Sequence, residues 1–353
     1  MNSKSYRIGI VGASEISAGA PQLSTGPLAN EVIPSHAASL ALIPEVEVAG
    51  ICDLVPELLD QFKGRWERHW PGLALYTDYK EMLSDLELDI VVVATPDHLH
   101  ASVVEDSAVA GVKGIFCEKP FATTIEDADR MIKVCEENSV ILSVNHTRRW
   151  SPLYREVFDS VCAGSIGALG TIVATLGGER ALLFRVGTHL IDMGCFFADS
   201  SPEKVFASLE DGFENWDRYQ GKGGRDASTE PGASGLVQFA NGVRMLYSGV
   251  KGTAAGVYFH LSGTEGQIDI DDSDRTAELV TRGAGGLTAL RRNLIPGQFQ
   301  VHGMVAAYRE IINLIENGGT GISSGQEARK TIQIVEGFVQ SNYQGGRLIP
   351  VPR

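Results

Sequence analysis

The feature that most constrains this chain is the alternation, over its first 145 residues, of short Val/Ile-rich runs with longer amphipathic segments. Runs of four to eight apolar residues suit strands buried on both faces, and the intervening 3.6-residue periodicity suits helices that cover them. Tyr6–Gly12, Val46–Cys52, Ile90–Ala94, Gly114–Cys117 and Val140–Val144 read as strands, and Pro56–His69, His98–Ala110 and Ile125–Glu137 as helices. Ile125, Ala128, Met131, Ile132 and Cys135 in the last of these recur at three- and four-residue steps, which gives it one inward face. Strands alternating with helices imply βαβ units and a parallel sheet.

The pattern changes near Trp150. A helix over Leu153–Cys162, a strand over Gly170–Gly177 and a helix over Thr188–Ala198 precede closely spaced strands at Gly235–Phe239, Val243–Val250, Val257–Ser262 and Gln267–Asp271. Asn241-Gly242 is a two-residue hairpin signal, because both residues tolerate the positive φ of the turn. Such strands cannot extend a βαβ series, so a second, α+β domain is expected. Helices over Met304–Glu316 and Gln326–Gln340 close the chain. Two segments read as loops, Ser14–Pro34 and Asp217–Gly232.

With 353 residues, 43% of them hydrophobic, the chain can bury about two domain cores. A net charge of −14 disfavours a nucleic-acid backbone or an anionic membrane as the main partner. It does not disfavour an anionic cofactor, whose phosphates are held by local backbone N–H groups. Cys52, Cys117, Cys135, Cys162 and Cys195 form no CxxC pair, and His98 with His100 supplies too few ligands for zinc, so no metal is expected. Neither a signal peptide nor an 18-residue apolar stretch is legible, which makes the cytoplasm the expected location.

The first strand runs into Gly12-Ala13-Ser14-Glu15-Ile16-Ser17. In a dinucleotide fold the turn glycines let the backbone approach the pyrophosphate. Here Gly12 keeps the first glycine position, while Ser14 and Ser17 stand at the second and third. Gly12, Ser14, Glu15 and Ile16 are the candidate cofactor contacts of this turn. Asp53 ends the second apolar run, where a carboxylate accepts from the adenosine ribose and repels a 2′-phosphate, favouring NAD over NADP. It lies 41 residues after Gly12, against about 20 in the usual fingerprint; an inserted loop within Ser14–Pro34, before the helix, accounts for the excess.

Three further motifs follow apolar runs: Ala94-Thr95-Pro96-Asp97-His98-Leu99-His100, Cys117-Glu118-Lys119-Pro120-Phe121, and Asn145-His146-Thr147-Arg148-Arg149-Trp150. A fourth, Gly187-Thr188-His189-Leu190-Ile191-Asp192, lies in the second part. In this order the motifs resemble the glucose–fructose oxidoreductase, inositol dehydrogenase and MocA family, over nearly the whole chain. The resemblance implies a Rossmann dinucleotide domain over residues 1–148. An α+β domain with a large, mostly antiparallel open sheet follows over 149–353, for substrate binding and oligomerisation. It implies NAD as cofactor, a hydride transfer at a hydroxyl carbon of a sugar, cyclitol or sugar acid, and a homodimer or homotetramer.

Residue by residue, the resemblance implies that Thr95, Pro96 and His100 line the nicotinamide-ribose side and that Glu118 holds ribose hydroxyls. Lys119 becomes the active-site lysine, before a peptide bond to Pro120 for which both trans and cis forms stay open, and His189 faces the substrate carbon. Imidazole exchanges protons near neutral pH and an ammonium stabilises developing oxyanion charge, so His189 is read as acid/base and Lys119 as polarising group, with the reverse left open. Asp192, three residues on, shares a helix face with His189 and either orients it or contacts the substrate. His146 is a further substrate candidate; Arg149 shapes the cleft or packs a domain junction. Family members place an aspartate where this chain has Arg185, which is read as a receptor for a substrate carboxylate or else as a solvated side chain. Two other readings stay open: glycoside cleavage that retains NAD, and a cofactor-bound regulator without turnover.

Overall fold

The structure is a computed structural model that describes residues 5–19, 22–23, 31–32, 35–221, 226–283, 289–295 and 303–353. Parts of the two expected loops, Ser14–Pro34 and Asp217–Gly232, therefore lie outside the described residues. The chain divides into two compact units, each described by itself. One comprises Met1–Ala122, Glu126–Thr147 and His302–Gly325; the other comprises Thr123–Ile125, Arg148–Val301 and Gln326–Arg353.

The elements, in chain order, begin with β1 (Tyr6–Val11), α1 (Glu15–Ala18), β2 (Gln22–Leu23), β3 (Glu31–Val32) and α2 (His36–Leu40). β4 (Val46–Cys52), α3 (Pro56–Trp66), β5 (Ala74–Tyr76), α4 (Tyr79–Asp85) and β6 (Ile90–Val93) follow. Then come α5 (His100–Val109), β7 (Gly114–Cys117), α6 (Ile125–Glu137) and β8 (Ile141–Val144). The second unit takes α7 (Pro152–Cys162), β9 (Leu169–Gly177), α8 (Gly187–Ala198), β10 (Pro202–Leu209), β11 (Ala233–Phe239) and β12 (Arg244–Val250). It continues with β13 (Gly256–Gly263), β14 (Gly266–Asp271), β15 (Thr276–Arg282) and β16 (Ala289–Asn293). The chain ends with α9 (Met304–Asn317), α10 (Gly325–Tyr343) and β17 (Ile349–Pro350).

In the first unit, β5-β4-β1-β6-β7-β8 form a parallel sheet, the doubly wound order in which the chain reverses direction between β1 and β6. β6 shows why the apolar runs fold this way: Ile90, Val91, Val92 and Val93 are each wholly buried, so both faces are covered. Helix α9 belongs to this unit although nearly all of the second unit precedes it in sequence. Ile311 and Ile315 lie against Gly114, where a Cβ would come within 2.9 Å of Ile311, so the missing side chain is what admits the helix. A single boundary near residue 148 misses this return.

The expected insertion falls after a short helix, not before the first one, with α1 ahead of it and α2 behind it. α1 has four residues, the chain leaves at Gly19, and α2 resumes at Ser35. Ser35 Oγ donates to Gly19 O and accepts from Ala38 N at 3.1 Å, joining the two pieces. The freed carbonyl of Ala18 accepts from Arg65 Nη1 at 2.7 Å and Trp66 Nε1 at 3.0 Å. Helix ends need such partners when they are buried.

The second unit is built on a nine-stranded sheet ordered β16-β15-β14-β13-β9-β12-β11-β10-β17, antiparallel except where β9 meets β12. Alternate residues Ile172, Ala174 and Leu176 of β9, with Phe259 and Leu261 of β13, are buried on one face, which carries α8 and α10. The Asn241-Gly242 turn joins β11 to β12: Gly242 has φ 88°, and Phe239 N donates to Val243 O at 2.9 Å. Among the described residues no helix is long and apolar enough to cross a membrane.

Ile311 is fully buried on the first unit. Ile311→Ala is therefore expected to destabilise the protein by about 2–4 kcal/mol in chemical denaturation. Loss of less than about 0.5 kcal/mol would show that α9 does not support the parallel sheet.

Candidate active-site residues

In the first unit the sequence-predicted residues collect at the carboxyl ends of the parallel strands, beside the reversal between β1 and β6, where such sheets bind ligands. Gly12 has φ 102°, and a Cβ there would lie 2.4 Å from Ala94 O, so only glycine fits between β1 and the end of β6. Ala13 N donates to Asp53 Oδ2 at 2.7 Å and Val55 N to Oδ1 at 2.9 Å. The Asp53 carboxylate is thus fixed against the glycine turn, with one amide on each oxygen and lone pairs left on both. Ser14, Glu15 and Ile16 are exposed, whereas Ser17, at the third glycine position, is fully buried. Among the described residues Thr95 Oγ1 is a buried atom without a hydrogen-bond partner, and Pro96 is exposed.

His100 departs from expectation. It is wholly buried, and its ring nitrogens face carbonyl oxygens: Nδ1 lies 3.0 Å from Pro120 O and 3.3 Å from Phe121 O, and Nε2 lies 3.1 Å from Thr95 O. Enclosed by these carbonyls and wholly buried, the ring packs the Thr95 turn against the loop after Lys119 and presents no surface of its own. Lys119 is half-buried, and its bond to Pro120 is cis.

Glu118 is 6% exposed. Its Oε1 lies 3.1 Å from His36 Nε2 and accepts from Asn145 Nδ2 at 2.5 Å; its Oε2 accepts from Lys119 N at 3.2 Å. Burial alone would push this carboxyl up. Hydrogen bonds and charge from His36, with Lys119 and Asn145, more than reverse that and hold it at about 2. His146, at the end of β8, is 1% exposed, which leaves little of it for a substrate.

In the second unit His189 sits half-buried in the first turn of α8. Asp192 does share the helix, yet its carboxylate is held by Arg149: Nε lies 3.0 Å from each oxygen and Nη2 lies 2.8 Å from Oδ1. Both residues are at most 2% exposed, and the guanidinium also lies over the Phe196 ring at 5.3 Å. Arg149 and Asp192 therefore form an internal strut. A buried ion pair holds geometry because losing either partner strands the other's charge.

Arg185 is not a solvated side chain either. It is 8% exposed, with Nε 2.8 Å from Glu230 Oε2 and Nη2 2.9 Å from Thr229 Oγ1. Glu230, fully buried, also accepts from the backbone N–H groups of Phe184 and Arg185. Burial raises the Glu230 carboxyl despite these bonds. Lys251 Nζ reaches Glu230 O and Ala227 O, each at 2.7 Å, and ties the same segment to Glu210. The sequence reading missed Glu230, His36, Asn145 and Tyr308. Ser35-His36 did carry a signal, a capping serine before a helix, and Asn145 opens a motif in which it is given no role; Glu230 and Tyr308 lie in segments without a motif of their own. Among the described residues no group of three or more metal-ligating side chains converges.

Residues 6–146 match the family model described as an oxidoreductase family with an NAD-binding Rossmann fold. A curated relative, D-apiose dehydrogenase from Paraburkholderia graminis, is 29% identical over 77% of this chain and 75% of its own length. The rhizopine catabolism protein MocA of Rhizobium meliloti is 30% identical, and the match covers 54% of each chain, about half of that relative. Levoglucosan dehydrogenase, solved in complex with NADH and levoglucosan, superposes with a TM-score of 0.79 at 20% identity, over 99% of this chain and all of that one.

Two outcomes follow from the buried charges. Glu230→Gln leaves the Arg185 cation in place without its counter-ion, and is expected to lower stability by about 3–5 kcal/mol in denaturant titration. For Glu118, a carboxyl lowered from 4.5 to about 2 stabilises the fold above 4.5 and loses that contribution as the pH falls toward 2. The stability difference between the wild type and Glu118→Gln should therefore narrow by on the order of 2 kcal/mol between pH 5 and pH 3. A difference that stays constant would contradict the ionised buried form.

Proposed function

Because this chain belongs to the glucose–fructose oxidoreductase, inositol dehydrogenase and MocA family of NAD-binding oxidoreductases, we propose that it is a dehydrogenase or reductase of a neutral sugar or cyclitol. The observation that carries this reading is the cluster at the strand ends of the first unit: Gly12, the anchored Asp53 carboxylate, the unpartnered Thr95 Oγ1 and the Glu118–Lys119 pair. That donor and acceptor set suits a dinucleotide. Asp53 would hold the adenosine ribose, Gly12 through Ile16 the turn beside the pyrophosphate, and Thr95, Pro96 and Glu118 the nicotinamide riboside. Bound NAD supplies a hydride acceptor and, when reduced, a hydride donor.

The remaining chemistry belongs to the protein. To His189 we assign the hydroxyl proton, taken as an alcohol is oxidised and returned in the reverse direction, and to the Lys119 ammonium the stabilisation of developing oxyanion charge. The pairing of Arg185 with Glu230 favours a neutral substrate over a sugar acid, since a substrate carboxylate would have to compete with an internal counter-ion. The name of one relative, D-apiose dehydrogenase, supports the class.

A panel of sugars, uronates and inositols, followed by NADH absorbance, tests this reading. At least one neutral member should turn over with a kcat/KM about tenfold or more above that of its uronate. Lys119→Ala and His189→Ala should each reduce kcat by on the order of a hundredfold or more while the NAD dissociation constant changes little. Retained turnover in both variants would refute the assignment.

A further inference from the structure

Behind Glu118 lies a buried polar cluster that the proposed chemistry leaves unused. His36, the first residue of α2, and Tyr308, on α9, are both wholly buried. The Phe116 and Tyr308 rings meet the imidazole edge-on, with centroids 5.4 and 6.0 Å away, and shut it off from water. Its Nδ1 lies 2.7 Å from Tyr308 Oη and its Nε2 lies 3.1 Å from Glu118 Oε1. The tyrosine hydroxyl both donates and accepts, so it serves either protonation form of the ring, and Nε2 keeps a hydrogen for the carboxylate. Asn145 Nδ2 donates to the same Oε1 at 2.5 Å.

The two carboxylate oxygens are therefore unequal. Oε1 is filled by two internal donors from two separate elements, which fixes the side-chain torsions. Among the described residues, Oε2 accepts only from Lys119 N, and it retains a lone pair. A vicinal diol needs an acceptor held in one orientation, and a carboxylate free to rotate would lose part of its binding to that ordering.

We propose that His36, backed by Tyr308, is a positioning residue that locks Oε1 of Glu118 and so presents Oε2 to the hydroxyls of the nicotinamide ribose. This rests on the ribose-binding role given to Glu118 above. His36 touches neither substrate nor cofactor; it acts through Glu118.

Binding of NADH and of ADP by titration calorimetry separates the alternatives, because ADP has no nicotinamide riboside. His36→Leu should weaken NADH about tenfold and leave ADP within about twofold, and His36→Gln, whose amide places an N–H near the Nε2 position, should recover most of the loss. Should His36→Leu fail to fold, Tyr308→Phe removes a single hydroxyl and should weaken NADH about threefold with ADP unchanged. Equal losses on NADH and ADP would reduce His36 to a structural residue and overturn the inference, as would wild-type NADH binding in the folded variants. Glu118→Gln marks where a failure lies. If it weakens NADH and the His36 and Tyr308 variants do not, the positioning role alone falls; if it leaves NADH unchanged, the ribose assignment falls and takes the positioning role with it.

Discussion

A carboxylate that water cannot reach stays ionised only if the protein replaces the water with donors already in place. Glu118 meets that condition through His36, Asn145 and the Lys119 amide, and much of the first unit is arranged around the need. It explains why α2 begins with a histidine, why α9 carries a tyrosine at position 308, and why Asn145 follows β8. The same condition recurs in the second unit. Asp192 is matched by Arg149, through two guanidinium nitrogens, and Glu230 by Arg185, through Nε. Each compensated pair lies within a few residues of a residue given a chemical role, so charge compensation and placement of the chemistry are one design constraint.

Much of the fold was legible because its strongest signals are local. Val46–Cys52, Gly114–Cys117 and Ile125–Glu137 appear in the structure with the expected bounds, since continuous apolar runs and a one-sided helix face depend on little beyond their own residues. The Asn241-Gly242 hairpin is legible for a similar reason, its turn chemistry being confined to two positions. Strands β5, β10, β15 and β16 were not read. β5 has three residues, and β16 is exposed at all five of its positions, so neither displays the burial pattern that marks a strand. The return of α9 to the first unit depends on the absent side chain of Gly114, a long-range fact that no window along the chain contains.

The candidate site divides along the same line. Motif position identified Gly12, Asp53, Thr95, Glu118 and Lys119, and these gather at the strand ends. It did not reveal which way a side chain faces. His100, Arg149 and Asp192 occupy positions that the motifs mark as chemical, yet their polar atoms face carbonyls, one another or Glu327. A motif retains a residue equally for touching a ligand and for bracing one that does, and burial with full hydrogen bonding separates the two. Arg185 carries the lesson furthest, because its meaning depends on Glu230, 45 residues later and outside any motif.

The insertion between α1 and α2 shows how far the nucleotide turn can be altered without losing the fold. Closing a longer loop adds only about 0.6 kcal/mol per doubling of its length, so an insertion is tolerated if the broken ends are satisfied. Here Ala18 O is taken by Arg65 and Trp66, and Gly19 O by Ser35, so the exit and the re-entry are both capped. What the insertion must preserve is the register of α2, since His36 has to arrive against Glu118. The fingerprint spacing of 41 residues is thus no defect in a dinucleotide turn. The length of the insertion is free, while the position of the helix that follows it is fixed by the carboxylate that its first residue has to meet.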